Sequence, residues 1–177
     1  MPAIARTTDH MTEQFRRETL VPRRPETYQQ HRPILHNVMV VDDSRIDRAL
    51  HYRALSRSVV IGDMVEFSDG EAALDHLQQN PTKCPDAILL DVNMPSMDAY
   101  DFLTAATSKL GMGFTKAVVI LTSIPLLPRD HKRLMAFEIV KHFLEKPLIA
   151  AEIRAMTTKL YPKVSGSADP QRSMVRP

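Results

Sequence analysis

The sequence predicts a single α/β domain in which five parallel strands alternate with five helices. Short continuous apolar runs, typical of strands buried on both faces, alternate with stretches of helical spacing. The runs occupy residues 38–41, 64–67, 87–90, 117–121 and 139–144. Only the second and fifth runs contain charged residues, as expected for strands at the edges of a sheet. Right-handed crossovers bring all five carboxyl ends to one edge, where open α/β sheets bind ligands.

Capping signals and apolar spacing predict the helices between these strands. Ser44 with Asp47, and Ser68 with Glu71, each resemble a capping box, in which a serine and an acid three residues later satisfy the first backbone amides. The third helix is expected over residues 98–110. The apolar positions that recur on one face of the first helix are Ile46, Ala49, Leu50 and Ala54. Those of the fifth are Ile149, Ile153, Met156 and Leu160.

The length and composition are those of a soluble globular protein. The chain has 177 residues, of which 44% are hydrophobic and 25% are charged, so one domain with tails is expected. The apolar runs are too short to cross a bilayer, and the N-terminus has no apolar stretch that resembles a signal peptide. The single Cys84 has no second thiol for an internal disulfide. These features predict a cytoplasmic protein.

The two ends of the chain differ in composition from its middle. Residues 1–36 have no steady apolar period and contain prolines that interrupt helices, which predicts a mobile N-terminal extension. Residues 162–177 are rich in turn-forming residues, which predicts a flexible tail. The folded domain should therefore span residues 37–161. The extension holds six Arg against four acids, an excess too weak to indicate a nucleic-acid-binding surface.

Polar residues follow four of the five predicted strands at the edge where the strands end. Asp42 and Asp43 follow the first strand, and Asp91 follows the third. Thr122 follows the fourth strand, and Lys146 comes just after the fifth. Each residue alone is an ordinary cap, turn or surface residue. Together they bring three carboxylates, a hydroxyl and a cation to the place where a ligand would bind.

The carboxylates at this edge predict a metal site. Crowded carboxylates repel each other unless a cation joins them, and Mg²⁺ binds oxygen ligands together with waters and a phosphate oxygen. Asp91 is the candidate nucleophile, because it is the single acid of the third strand and is ionised at neutral pH without a general base. Asp42 and Asp43 are left to hold the ion, while Lys146 and Thr122 would bind phosphoryl oxygens.

Four segments of the chain resemble the receiver domain of bacterial two-component response regulators. They read VMVVDDS at 38–44, ILLDVNMPSMD at 88–98, ILTS at 120–123 and FLEKP at 143–147. The resemblance extends over residues 37–161, with each motif on the expected strand. It implies a doubly wound, flavodoxin-like sheet with the strand order 2-1-3-4-5 of the chemotaxis receiver.

The resemblance also implies a separate role for each acid of the site. Asp91 would be the phosphoacceptor and would belong to the metal site. Asp43 would bind Mg²⁺ or Mn²⁺ directly, and Asp42 would act mostly through a metal-bound water. Asn93 would ligate through its backbone carbonyl.

The remaining motif residues are implied to switch the domain and to shape access to Asp91. Thr122 and Phe143 stand at the switch positions, where the hydroxyl closes on the phosphate and the ring swings inward. A plain core aromatic is the alternative for Phe143. Ser123 is small enough to leave the in-line approach open. The Lys146–Pro147 bond is expected to be cis.

Two features depart from the family pattern. Ala99 stands where members generally have Gly, and Ala resists the positive φ that Gly permits, so a reshaped loop is expected before the third helix. Pro125 and Pro128 fix two φ angles in the segment before the fourth helix, which is expected to begin after Pro128. These prolines should stiffen the loop whose motion would transmit the signal.

The resemblance implies a stand-alone response regulator, which is a phosphoacceptor signalling domain and not an enzyme with sustained turnover. A sensor histidine kinase or phosphotransfer protein would supply the phosphoryl group. No DNA-binding module is expected, so a downstream protein would dock on the face made by the fourth helix, fifth strand and fifth helix. Two alternatives stay open, a phosphorylation-independent adaptor and a haloacid-dehalogenase-like phosphatase. The phosphatase is disfavoured, because that family has its nucleophile after the first strand and a second Asp two residues later, where this chain has Asn93.

Overall fold

The computed structural model describes residues 34–58 and 61–162, which form one five-stranded sheet with five helices. The strands are β1 Leu35–Val41, β2 Ile61–Phe67, β3 Ala87–Asp91, β4 Val118–Thr122 and β5 Val140–Glu145. The helices are α1 Arg45–Ser58, α2 Gly70–Gln79, α3 Ala99–Leu110, α4 Pro128–Met135 and α5 Ala150–Leu160. The predicted alternation of five strands and five helices is confirmed.

The strands are parallel and lie in the order β2-β1-β3-β4-β5, as predicted. The two edge strands, β2 and β5, are those whose sequences contain charged residues. The inner strands β3 and β4 are buried at every position. The strand order reverses between β1 and β3, so a crevice opens at their carboxyl ends.

Helices cover both faces of the sheet and bury two apolar clusters. Successive residues of a strand point to opposite faces, so Ile88 and Leu90 join the cluster under α2, α3 and α4, whereas Leu89 joins the cluster under α1 and α5. Burial of each such side chain stabilises the fold by roughly 1.5–3 kcal/mol. This packing holds the strand ends rigidly.

The buried face of α1 differs from the predicted one. Ile46 is 73% exposed and Leu50 is 41% exposed. The buried residues of the helix are His51, Ala54, Leu55 and Ser58. The prediction was wrong here because two positions of the buried face carry polar side chains that find hydrogen-bond partners, and apolar spacing cannot detect such positions.

The helix starts agree only in part with the predicted capping boxes. The Asp47 amide donates to Ser44 Oγ at 3.2 Å, which is one half of the predicted box at α1. The predicted cap of α2 is wrong, because the helix is capped by Asp69, whose side chain accepts from the Ala72 amide at 2.7 Å. An Asp at this position competes well with a neighbouring Ser such as Ser68.

The remaining helices start and stop close to the predicted residues. Asp98 caps α3, whose C-cap Gly111 has φ 73°, a conformation that favours glycine. Ala99 is buried as the first residue of α3. Pro128 is itself the first residue of α4, where its missing amide hydrogen costs nothing. Ile149, predicted within the apolar stripe of α5, is its N-cap residue and is 51% exposed.

Part of the predicted domain organisation lies outside the described residues. Leu35 and His36 belong to β1, so the first strand begins two residues before the predicted boundary at 37. The mobile extension over 1–33 and the flexible tail over 163–177 stay predictions. Within the described ranges, no helix is long and apolar enough to cross a membrane.

Candidate functional site

The sheet brings three of the predicted site residues into direct contact. Asp42 directly follows β1, and Asp91 is the last residue of β3. Val41 pairs with Leu90, so the residues that follow them on the two strands are neighbours. The Lys146 ammonium lies 2.7 Å from Asp42 Oδ2 and 2.9 Å from Asp91 Oδ1. The Lys146–Pro147 bond is cis, as expected.

Asp42 is buried and held by donors on both oxygens. Its Oδ1 accepts from the Ser44 amide at 2.9 Å. Its Oδ2 lies 3.0 Å from His51 Nε2 and 2.7 Å from Lys146 Nζ. Burial raises the pKa of this carboxyl, but the hydrogen bonds with His51 and Lys146 outweigh burial and leave the pKa below its usual value. Asp42 is therefore an anion at neutral pH.

Lys146 is the shared cation of the site. Its side chain is only 8% exposed, and it also reaches Asp47 Oδ2 at 3.3 Å. Burial lowers the pKa of this ammonium, but its hydrogen bonds to Asp42 and Asp91 raise the pKa to about 12. The ammonium thus stays charged over the whole neutral range.

Asp91 has the least favourable surroundings of the buried acids at this edge. Burial raises its pKa, the ion pair with Lys146 lowers it in part, and repulsion from Asp42 and Asp43 raises it further. The net result is a pKa above the usual value. The ionised form of Asp91 is therefore energetically unfavourable in the free protein, and a bound cation would stabilise it.

The three acids fit a hard divalent cation. Asp42, Asp43 and Asp91 each offer one carboxylate oxygen, and these oxygens lie within 4.8 Å of one another. Among the described residues, Lys146 is the permanent cation paired with Asp42 and Asp91, so three carboxylates against one ammonium leave two negative charges for a dication to balance. Asp43 is exposed and gives access from solvent. An all-oxygen set of this kind suits Mg²⁺. Asn93 is exposed two residues beyond Asp91, and ligation through its carbonyl stays a prediction.

Thr122 lies at the same edge, and among the described residues its hydroxyl hydrogen-bonds to Ile124. It is the last residue of β4, and Leu121 pairs with Asp91 on the neighbouring strand. Its hydroxyl accepts from the Ile124 amide at 3.2 Å and donates to the Ile124 carbonyl. The hydroxyl must therefore release this carbonyl before it can donate to a group on Asp91. Ser123 is exposed next to it.

Phe143 is half-buried on the edge strand β5 and packs against the apolar cluster under α2, α3 and α4, so the alternative of a core aromatic stays open. Its ring stacks on His131 of α4, with centroids 4.3 Å apart and planes 28° apart. Both rings line a cavity of about 400 Å³ together with Thr122 and Pro125. The ring thus has free volume beside it, on the side where Thr122 lies.

Two residues of α1 belong to the site although the sequence pattern did not single them out. The sequence pattern places Asp47 only in a helix cap, and it assigns no role to His51. The structure brings Asp47 to Lys146 and His51 to Asp42. The two lie four residues apart on one helix face, directly after the acidic pair. This pair of polar residues on one helix face is the sequence feature that could have placed them in the site.

Arg48 supports the loop that carries the acids. Its Nη1 donates to the Asp42 carbonyl at 2.7 Å and to the Asp43 carbonyl at 3.1 Å. The Arg48 guanidinium also lies 3.9 Å from Glu66 on β2. The Arg48 guanidinium therefore holds the backbone between β1 and α1 through the carbonyls of the two acids.

A parallel doubly wound sheet of order β2-β1-β3-β4-β5 is a flavodoxin-like fold, and its clustered acids and buried lysine lie at the switch point between β1 and β3, where this fold binds ligands. The sequence profile of the response regulator receiver domain matches residues 38–158. The chain belongs to that family, and the resemblance inferred from its motifs is confirmed. It is a receiver domain of the two-component response-regulator type.

Individual relatives agree with this assignment. The chain is 32% identical over 116 residues to the protein-glutamate methylesterase/protein-glutamine glutaminase of Azospirillum brasilense, which is 66% of this chain and 28% of that protein. It is 32% identical over 129 residues to the two-component response regulator ARR22 of Arabidopsis thaliana, which is 72% of this chain and 84% of that protein. The chain thus spans about a quarter of the first relative and most of the second.

A solved structure supports the fold independently. The crystal structure of a two-component response regulator from Cytophaga hutchinsonii superposes with a TM-score of 0.66 at 22% identity. The match covers 75% of this chain and 100% of that one. This likeness extends to the architecture of the whole receiver domain.

Proposed function

We propose that this chain accepts a phosphoryl group on Asp91 from a histidine kinase or a phosphotransfer protein. The observation that carries the proposal is the contact of Lys146 Nζ with Asp91 at 2.9 Å and with Asp42 at 2.7 Å, inside a cluster of three carboxylates. A nucleophile, a permanent cation and further acids for a metal thus meet in one crevice.

The proposed reaction is an in-line transfer to Asp91. A carboxylate oxygen attacks the phosphorus of a phosphohistidine, the new O–P bond forms, and the N–P bond breaks. The leaving imidazole nitrogen keeps the electron pair and takes a proton from solvent. No general base is needed, because an ionised carboxylate is already the nucleophile. The burial and repulsion that raise the pKa of Asp91 also raise the energy of its unmodified state.

The surrounding residues would compensate the charge of the incoming group. The Lys146 ammonium lies within hydrogen-bond distance of Asp91 and can follow the phosphoryl oxygens. Mg²⁺ held by Asp42, Asp43 and Asp91, with the Asn93 carbonyl, would supply further charge neutralisation when bound.

Intact mass spectrometry tests the proposal directly. The protein is incubated with Mg²⁺ and acetyl phosphate, and the expected result is the gain of one phosphoryl group. Chelation of the metal should abolish the gain. Asp91→Asn should lose it as well, whereas Asp75→Asn, an exposed acid of α2, should keep it. Equal labelling of the Asp91 variant would reject the assignment of the acceptor.

The same experiment separates the rival functions. A phosphorylation-independent adaptor would gain no mass, although it has the same fold. A phosphatase of the aspartyl type would release inorganic phosphate from a phosphate monoester with sustained turnover. Stoichiometric labelling with slow loss of the group is the result expected for a receiver.

The output of the proposed switch is a change in protein binding. The face made by α4, β5 and α5 includes the stacked pair of Phe143 and His131 beside the 400 Å³ cavity. In the proposed switch Thr122 leaves the Ile124 carbonyl for the phosphoryl group, and the Phe143 ring moves into the cavity. Both movements would change this face, because Thr122 and Phe143 line the cavity beside it.

A partner capture compared between two states tests the output. Immobilised protein with and without acetyl phosphate is exposed to the same cell extract, and the bound proteins are compared. A partner that prefers one state supports the switch. Identical binding in both states would favour the adaptor.

A further inference from the structure

We infer that His51 is a positioning residue that fixes Asp42 for metal binding. The inference rests on the proposed function, since it concerns the same metal site. It assigns to α1 a direct part in the site, beyond the acids and the lysine of the strand ends.

The geometry makes His51 a donor to Asp42. Nε2 lies 3.0 Å from Asp42 Oδ2, and an ionised carboxylate can only accept, so Nε2 carries the hydrogen. The two side chains are 1% and 0% exposed. Water therefore cannot replace this donor when it is removed. The hydrogen bond is also one of the three that lower the pKa of Asp42 against the effect of burial.

The second ring nitrogen shows that packing alone does not explain His51. Nδ1 is buried and has no hydrogen-bond partner among the described residues. A leucine of similar size would fill the same space without a buried unsatisfied nitrogen. The imidazole is retained at this cost for what its other nitrogen does, and that nitrogen points to Asp42.

The three donors on Asp42 come from three separate parts of the chain. The Ser44 amide belongs to the β1–α1 loop, His51 to the second turn of α1, and Lys146 to the end of β5. Lys146 is shared with Asp91 and Asp47, so it cannot fix the orientation of Asp42 alone. Within the described ranges, the His51 ring hydrogen-bonds to Asp42 and to no other residue. It thus keeps the carboxylate in one orientation whether or not the neighbouring acids are paired.

A carboxylate that is already oriented loses less freedom when an ion arrives. Asp43, by contrast, is exposed, and no side-chain hydrogen bond or ion pair holds its carboxylate among the residues that the structure describes. Binding of the ion would order the side chain of Asp43, whereas the side chain of Asp42 would already be ordered before binding. Hydrogen-bond partners behind metal ligands typically change affinity by about tenfold or more when they are removed.

Titration calorimetry of metal-free protein with MgCl₂ tests the inference. His51→Leu removes the donor and keeps the volume, and we expect about tenfold weaker Mg²⁺ binding. His51→Gln retains an N–H near the position of Nε2, and its affinity should stay within about twofold of wild type. Leu55→Val lies on the same buried face of α1 and disturbs packing without touching Asp42, so its affinity should be unchanged.

The outcomes separate this inference from the proposed function. Wild-type protein that takes up no Mg²⁺ would reject both. Wild type and His51→Leu with equal affinities would reject only the role of His51. Equal weakening by Leu55→Val would show that packing, and not the donor, controls the site, and would also overturn the inference.

A measurement on the wild type covers the case in which His51→Leu fails to fold. Nitrogen-15 NMR of the imidazole reports which ring nitrogen carries a proton. Protonation at Nε2, retained when Mg²⁺ is added, is expected. An Nε2 without a proton would overturn the inference, because such a nitrogen cannot donate to Asp42.

Discussion

The two ends of β3 carry buried aspartates with opposite properties. Asp86 directly precedes the strand and is 6% exposed, while Asp91 ends it and is 5% exposed. Each forms an ion pair with a lysine, Lys116 for the first and Lys146 for the second. The pKa of Asp86 nevertheless lies below its usual value and that of Asp91 lies above it.

The difference comes from the other donors around each carboxylate. Burial raises the pKa of Asp86, but Lys116 and the backbone amides of Asn37 and His36 outweigh it. Those amides lie 3.2 and 2.6 Å from Asp86 Oδ2. In the described chain Asp91 has only the shared Lys146 as donor and faces other acids. Burial alone therefore does not decide whether a carboxylate stabilises a fold, because the donors and the neighbouring charges do.

The two ends consequently serve different purposes. Asp86 joins several parts of the chain, since its amide donates to the Asn37 carbonyl at 2.8 Å and its carbonyl accepts from Tyr161 Oη at 2.8 Å. This end ties β1 and the end of α5 to β3. Asp91 pairs with a lysine that it shares with Asp42 and Asp47, and its carboxylate lies in the acidic cluster. Three variants test how sharp this contrast is.

The largest effect is expected for Asp86→Ala, which should destabilise the fold by about 3 kcal/mol, because two amides and a lysine lose their acceptor. Urea unfolding at neutral pH measures the loss. The folded pKa of Asp86 is depressed, so its contribution is present above the ordinary value of 3.8 and is lost as the pH falls through the folded pKa. Asp75→Ala on the exposed face of α2 is the control. A loss below about 1 kcal/mol would remove the contrast.

An opposite and smaller effect is expected for Asp91→Asn, which should stabilise the metal-free fold by about 1 kcal/mol at neutral pH. The substitution removes the cost of burying a charge and the repulsion from Asp42 and Asp43, which together outweigh the lost pairing with Lys146. The pKa of Asp91 is raised, so ionised Asp91 costs stability above its folded pKa, and wild type regains it by protonation as the pH falls through that value. The gain of the variant should therefore shrink in acid. Thermal unfolding at two pH values with a chelator present is the measurement, and a destabilised variant would contradict the account.

The smallest effect is expected for Lys116→Met, at most about 1 kcal/mol, because this lysine side chain is 66% exposed and Asp86 keeps its backbone donors. Urea unfolding beside Asp86→Ala gives the comparison. A cost as large as that of Asp86→Ala would mean that the ion pair, and not the amides, secures this end of the sheet.

The sequence was sufficient for most of the architecture. Continuous apolar runs and charged edge strands follow from burial alone, and they predicted the alternation correctly. The strand order came from the resemblance, because apolar runs do not say which strands are neighbours. Asp42, Asp91 and Lys146 could be brought together in advance, since parallel strands end at a common edge.

The rest depended on packing that no pattern reports. His51 is buried and hydrogen-bonds to Asp42, whereas Ile46 on the same helix faces solvent. Asp86 belongs to no motif, and its importance appears only when the His36 and Asn37 amides converge on it. Polar residues that pair across the fold are thus the ones that apolar spacing misses.

The hydroxyl of Thr122 is already satisfied by the Ile124 backbone in the unmodified protein. A loop with its own hydrogen bonds has little tendency to drift into the signalling arrangement unprompted. Under the proposed switch, this local bond keeps background output low, and a full response then requires a ligand that offers the hydroxyl a stronger acceptor than a peptide carbonyl, as a phosphoryl oxygen does.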